Sequence, residues 1–237
     1  MVYVEIDKNI KTGNIKPNIL PVKNKDFDNP FLRPSTKDDF ESVRVGTQEW
    51  LTRNLDVDRF QNGDLIAHVE SDEEWKKAGR KGQPAWCYYD NVPENGKEYG
   101  KLYNWFAVND KRGLAPKGWN VPTYDEWFGL HEFLGGGIIA GYKIKSNKGW
   151  NDWKDEDSLI IEKGNGDDSY GFNALPSGCR IDNGNFGSIK SIALFWSSSE
   201  YDDFHALYWP LYNNYSDVSW NNFDLKQMGF SVRCLRG

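Results

Sequence analysis

Thr123 and the run Gly135-Gly136-Gly137 bracket the helix that this sequence delimits most clearly. Thr123 stands where an N-cap hydroxyl is needed, and Glu126 follows at capping-box spacing. Trp127, Leu130, Phe133 and Leu134 form an apolar stripe, which the three glycines terminate. Beyond them, residues 140–237 signal no further long helix, only short strands and long loops rich in Gly, Asn and Asp. A chain of this kind needs another source of core. The 11 tryptophans, in an aromatic content of 15%, supply it, since each ring brings a large apolar area and one N–H that needs an acceptor.

The segment before the helix adds short elements. Val43-Arg44-Val45 alternates ahead of Gly46 and reads as a strand and turn, with Trp50–Leu55 as a second strand. Ser71 with Glu74 opens a short helix over Asp72–Ala78 that should stop by Gly79. Leu102, Trp105 and Phe106 place a short helix within Tyr99–Asn109. The class is therefore α+β. Residues 1–36 differ: Pro17, Pro21, Pro30 and Pro34 interrupt any period, which predicts an extended arm unable to bury a core alone. The expected division is an arm over 1–42, for docking or oligomerisation, and a globular domain over 43–237. No internal repeat is present.

Charge and composition exclude several classes. A net charge of -6 without a basic run argues against nucleic-acid binding. No apolar stretch is long enough for membrane insertion as a helix. Met1–Asp7 has neither a basic n-region nor an apolar h-region, so neither a Sec signal nor a lipoprotein signal is expected there. The chain is then either trimmed or delivered another way, such as by assembly into a phage particle. Cys87, Cys179 and Cys234 make an odd count, compatible with one bridge plus a free thiol or with three reduced, buried thiols.

Catalytic signals are sparse. His68, His131 and His205 share no metal-ligand spacing, and His131 is expected on a half-buried helix face. No Ser-His-Asp arrangement or phosphate loop is evident. The expectation is a protein that is not an enzyme and needs no cofactor or metal.

Five segments and the C-terminus carry a resemblance: Val45–Trp50 with Asn54-Leu55; Tyr99–Trp105; Pro116–Thr123 with Glu126-Trp127; Gly171–Gly178 with Arg180; Phe195–Glu200; and Gly229–Arg236. The chain from about residue 43 to the end resembles the Fibrobacter succinogenes major paralogous domain, a family of Bacteroidetes and their phages. Its similarity to C-type-lectin-like and formylglycine-generating-enzyme-like domains implies a C-type-lectin-like fold. The first and last strands would pair, setting Val43–Val45 near Phe230–Leu235. Phe230, Val232 and Cys234 would point inward, and Ser231, Arg233 and Leu235 outward. The two main helices would pack on one side, and loops between residues 140 and 228 would form the working face. The cysteine pair of formylglycine-generating enzymes is not matched, because only Cys234 lies in a family-like motif. Cys87 could approach it as a bridge or as a second core thiol. Trp150-Asn151-Asp152 mimics a lectin calcium motif but lacks its Glu-Pro-Asn or Gln-Pro-Asp partner. The acidic residues Asp152, Asp155, Glu156, Asp157, Asp167 and Asp168 are read as solvated loops.

Residues 201–224 bear most directly on function. Tyr, Asn, Ser, Asp and Trp dominate, a composition like that of antibody paratopes. Leu207, Leu211 and Val218 are the expected inward set. Tyr208, Trp209, Tyr212, Asn213, Asn214, Tyr215, Trp220, Asn221, Asn222 and Phe223 are the expected ligand-binding face. In some C-type-lectin-like proteins this stretch is diversified at adenines; here either that process or a family preference for Tyr and Asn fits. The expected function is a virion fibre or decoration adhesin recognising a cell-surface glycan or protein. Its arm would contact other virion or surface-assembly proteins, and the chain would form a homo-oligomer in the virion or at a cell surface. A purely structural virion component, a secreted bacterial adhesin and, more remotely, an oxidase are the alternatives.

Overall fold

The computed structural model describes residues 40–154, 161–214 and 222–237. The expected arm up to residue 39 lies outside the described residues, as do Asp155, Glu156, Asp157 and Val218. Fourteen short strands occur among them: β1 (Ser42–Val45), β2 (Gln48–Leu51), β3 (Ala67–His68), β4 (Ala85–Cys87), β5 (Leu102–Tyr103), β6 (Trp119–Asn120) and β7 (Trp153–Lys154). β8 (Ile161–Glu162), β9 (Cys179–Arg180), β10 (Phe186–Gly187), β11 (Ile192–Glu200), β12 (His205–Tyr212), β13 (Phe223–Leu225) and β14 (Leu235–Arg236) follow. The α-helices are α1 (Asp72–Arg80), α2 (Pro93–Tyr99), α3 (Trp105–Val108), α4 (Tyr124–Leu134) and α5 (Gly137–Ile144). This is an α+β arrangement of several small, mostly antiparallel sheets.

The helix ends follow their local chemistry. In α4 the Thr123 hydroxyl accepts from Glu126 N, and the Glu126 carboxylate accepts from Thr123 N at 2.7 Å, closing the capping box. Gly135 ends the helix at φ 104, a left-handed conformation that a side chain would strain. Ser71 caps α1 through Glu74 N, and the helix continues to Arg80, past the expected stop, because Gly79 is buried against Gln227 where a larger residue would clash.

Two local expectations are corrected. Leu102 lies in β5, which pairs with β4, and only Trp105–Val108 forms a helical turn, capped by the Asn104 side chain. An eight-residue helix, α5, begins at Gly137, directly after α4. Gly137 at its start, Gly141 in its middle and its lack of a capping side chain hid it.

The first sheet has the order β1-β2-β14-β6. The C-terminal strand thus enters beside β2, pairing Leu235 with Trp50, and not beside β1 as expected. β1 is left at the edge because β6 takes the other side of β14. Phe230, Val232 and Cys234 are buried as expected, but so are Ser231, Arg233 and Leu235. The outward expectation fails because this segment runs between packed layers, with Trp196 N bonded to Ser231 O and Leu51 N to Cys234 O.

Three apolar clusters make the core. α4 supplies Trp127, Leu130 and Leu134 to one that includes Trp50, Phe172, Phe195 and Trp209. α1 supplies Trp75 and Ala78 to another, with Cys87, Tyr89 and Leu102. The two helices therefore serve separate clusters. The third cluster, around Tyr103, Trp105, Trp196 and Phe230, includes Cys234.

Candidate binding face

The longest strands, β11 and β12, pair antiparallel from Ile192↔Tyr212 to Trp196↔Tyr208, and β13 adds to the far edge of β12. Between Trp196 and Glu200 the register slips, so β11 bulges. The bulge frees Ser198 N to bond Pro122 O at 2.8 Å and Ser199 Oγ to accept Tyr124 N at 3.0 Å, tying the strand to the start of α4.

Alternation along β12 decides which side chains it presents. Leu207, Trp209 and Leu211 share one face and pack into the cluster around α4. Trp209, expected in the binding face, is therefore a core residue at 2% exposure. The signal was available: with Leu207 and Leu211 inward, a period of two sends Trp209 inward as well. On the opposite face, Tyr208 is half-buried and meets the edges of Trp196 and Phe230 at 6.4 and 5.1 Å. Its hydroxyl is engaged with that of Tyr212, which is also half-buried, and burial raises both phenols above their ordinary range. Burial likewise raises the carboxyl of Asp224 beside them.

The remaining candidates divide. Asn213 is half-buried and held by Asn213 N to Ser191 O and Asn213 Nδ2 to Asn151 O. Asn214 and Asn222 are half-buried, and Asn222 O accepts Tyr208 N. These amides are engaged within the protein, which corrects the expectation of a free polar face. Tyr215, Trp220 and Asn221 lie outside the described residues. Phe223 is exposed at 43%.

Phe223 leads to residues not singled out from the sequence. Its ring lies 3° from parallel to that of Tyr201, with centroids 3.9 Å apart, although both rings are open to solvent. Tyr201 is 50% exposed and Phe204, in the same turn, 70%. His205 meets Phe223 edge-on at 5.4 Å. Asp202 holds the turn: its carboxylate accepts from Phe204 N and His205 N at 2.8 Å and faces His205 Nδ1. These backbone bonds, with the His205 contact, hold the carboxyl below its ordinary range. The Asp-x-x-His spacing of this turn, beside two aromatic residues, was the available sequence signal.

Groups able to do chemistry are elsewhere and are engaged. Burial pushes the thiols of Cys87 and Cys234 up to about 12 and that of Cys179 up to about 11, so they are protonated near neutral pH. All three are free thiols; Cys87 and Cys234 sit in different clusters. His131 is fully buried, more than expected, and its Nε2 accepts from Gly137 N at 3.1 Å. Asp152 pairs with Lys163 at 2.7 Å and Asp167 accepts from Ser169 N, so these two loop carboxylates serve local structure. Among the described residues no three His, Cys, Asp or Glu side chains converge as a metal site. An open depression lined by Trp105, Phe106, Asp110 and Arg112 is also occupied electrostatically, since Arg112 pairs with Asp110 and Asp64.

The described residues thus define an α+β domain of small sheets, with exposed aromatic rings at one sheet end. The sequence model of the Fibrobacter succinogenes major domain matches residues 43–236, and the chain belongs to that family. No curated protein and no solved structure matches the chain. Among the described residues no helix is long and apolar enough to cross a membrane.

Proposed function

We propose that this protein is a non-enzymatic binding and display module of C-type-lectin-like fold, carried as a virion fibre or decoration protein and recognising a cell-surface glycan or protein. The observation that carries the reading is the exposed parallel pair Tyr201–Phe223 with Phe204 beside it. Exposing three rings to water is unfavourable by about 25 cal/mol per Å² of apolar area, and binding a partner recovers that loss. Rigid rings also present contact area at little entropic cost, and Asp202 and His205 offer polar partners at their edge. The engaged thiols and histidines favour binding over catalysis. The arm docks the domain onto neighbouring subunits, and repetition in the particle raises avidity.

The test is binding of the purified full-length protein to intact Bacteroidetes cells and to a glycan panel, beside a Tyr201→Ala/Phe204→Ala/Phe223→Ala variant. Binding by the wild type and its loss in the variant are expected. No binding by a folded wild type would end the adhesin reading, as would mature particles that lack the protein. A second reading, a purely structural virion component, draws on the apolar side chains Phe133, Ile138, Ile139 and Tyr142 exposed along α4 and α5, which suit a flat contact with a neighbouring subunit.

A further inference from the structure

The exposed rings stand on a loop that is held throughout. Tyr201 N and Asp202 N both donate to His205 O, which closes residues 201–205 into a tight reversal. The end of β13 clamps it from the side, with Lys226 N donating to Phe204 O at 2.9 Å and Lys226 Nζ to Asp203 O at 2.9 Å. The Asp202 carboxylate adds its bonds from Phe204 N and His205 N. Tyr201 and Phe223 cover one face of each other, so the exposure that each keeps belongs to its outer face and edges. A partner meets rings already fixed in place, and little entropy is lost in ordering them.

The charge around these rings is of one sign. Glu200, Asp202 and Asp203 stand in the loop. The first turn of α4, whose Tyr124 N donates to Ser199 Oγ, adds Asp125 and Glu126. Lys226 is the one Lys or Arg in residues 122–128, 199–206 and 222–226, and it is buried against Glu200. His205 faces Asp202. The carboxylate of Asp203 is exposed and has no hydrogen-bond or ion-pair partner among the described residues. Asp224, opposite Ala206, lies on the other face of the sheet from Phe223 and takes no part.

A group that answers both features is flat, apolar on its faces and cationic at its edge. The arginine guanidinium has that form: it stacks on aromatic rings, is weakly hydrated and offers a carboxylate two parallel N–H donors. Lysine supplies the charge without the stacking plane. A neutral sugar leaves Asp203 without a counter-charge, and an anionic one meets charge of its own sign.

We propose that the partner of this face is a protein that enters with an arginine side chain, its guanidinium laid on the exposed rings of the 201–204 loop and its edge paired with Asp203. Asp202, Glu200 and Asp125 supply the field that draws a basic segment in. This rests on the reading of the face as a binding site, and it selects a protein over a glycan as what is bound there.

The test uses the 15N-labelled full-length protein and two probes, an acetylated Gly-Arg repeat octapeptide and its Gly-Lys counterpart, at low salt. Methyl glycosides of neutral and acidic sugars are titrated beside them. The Gly-Arg peptide should shift the amides of residues 200–205 and 223–225 and bind about two- to fivefold more tightly than the Gly-Lys peptide. Tyr201→Leu/Phe204→Leu, which keeps apolar bulk without a ring face, should bring the two peptides to equal affinity. Asp203→Lys should weaken the Gly-Arg peptide about tenfold, by removing an attraction and adding a repulsion. Its side chain holds nothing in the described fold, so that variant stays folded. Glu94→Lys, on exposed α2, should leave the affinity unchanged. Equal affinity of both peptides for the wild type would overturn the proposal, as would shifts confined to other surfaces. Shifts produced by a glycoside and not by the Gly-Arg peptide would overturn it and leave the adhesin reading standing. Arginine binding as expected, in a protein that binds no cells, would end the adhesin reading alone.

Discussion

Trp127 on α4 and Trp209 on β12 lie 5° from parallel, with ring centroids 6.1 Å apart. Tyr124 and His131 meet Trp209 from the same helix, at 5.7 and 5.3 Å. This stack fastens the helix to the sheet whose far end carries the exposed rings. Trp209→Ala should destabilise the protein by about 3–5 kcal/mol, the range for deleting a large buried ring. Phe204→Ala should change stability by no more than about 0.5 kcal/mol, as for an exposed position. Denaturant unfolding of the two variants checks this, and equal losses would contradict the division between core and surface.

Arg233 is wholly buried and is held mainly by neutral acceptors. Its guanidinium donates to Leu51 O at 2.9 Å, to Asn54 Oδ1 at 2.7 Å and to the carbonyls of Phe172 and Asn173, while lying 4.6 Å from the Phe172 ring. Burial lowers its pKa to about 9. Arg233→Met leaves these acceptors unsatisfied and should cost about 3 kcal/mol or more. Arg233→Lys should recover little of it, because an ammonium cannot reproduce the planar fork. Full recovery in the lysine variant would show that charge alone matters there.

Lys145 is buried, with Nζ donating to Tyr212 O at 3.0 Å and lying 5.0 Å from the Trp150 ring. Burial lowers its pKa to about 7. The unfolded chain, with an ordinary lysine value near 10.5, binds the proton more tightly, so this group adds stability as pH rises from about 7 and withdraws it as pH falls. Between pH 7.5 and 8.5 the wild type should gain stability relative to Lys145→Met, by at most about 1.4 kcal/mol per pH unit. Unfolding curves at the two pH values give the difference, and parallel behaviour would show that the amine is not desolvated.

The three cysteines are buried and their thiols are raised by burial. Iodoacetamide at pH 8 should leave all three unmodified in the native protein and label all three after denaturation. Rapid native labelling of any one would mark it as reactive and would reopen the oxidase alternative.

How much could be read beforehand depended on the range of the interaction. The Thr123 box with Gly135, the Ser71 cap and the β1 strand are set by residues within a few positions of one another, and they stand as expected. The helix α5 was hidden because glycines at both its start and its middle mask its period. Among the candidate face residues, Phe223 is exposed as expected, whereas Trp209 belongs to the core. The alternation from Leu207 to Leu211 already implied this, but the paratope-like composition pointed the other way.

The sequence alone determined the family, the α+β class and the capped helix, because motif order and capping spacing are local and survive without coordinates. Only the tertiary structure decided that Ser231, Arg233 and Leu235 are buried and that Tyr201 meets Phe223 across the sheet end. Both outcomes depend on which distant segments pack on a strand. Burial is a property of those neighbours, and a strand's alternation names its two faces without saying what will cover them.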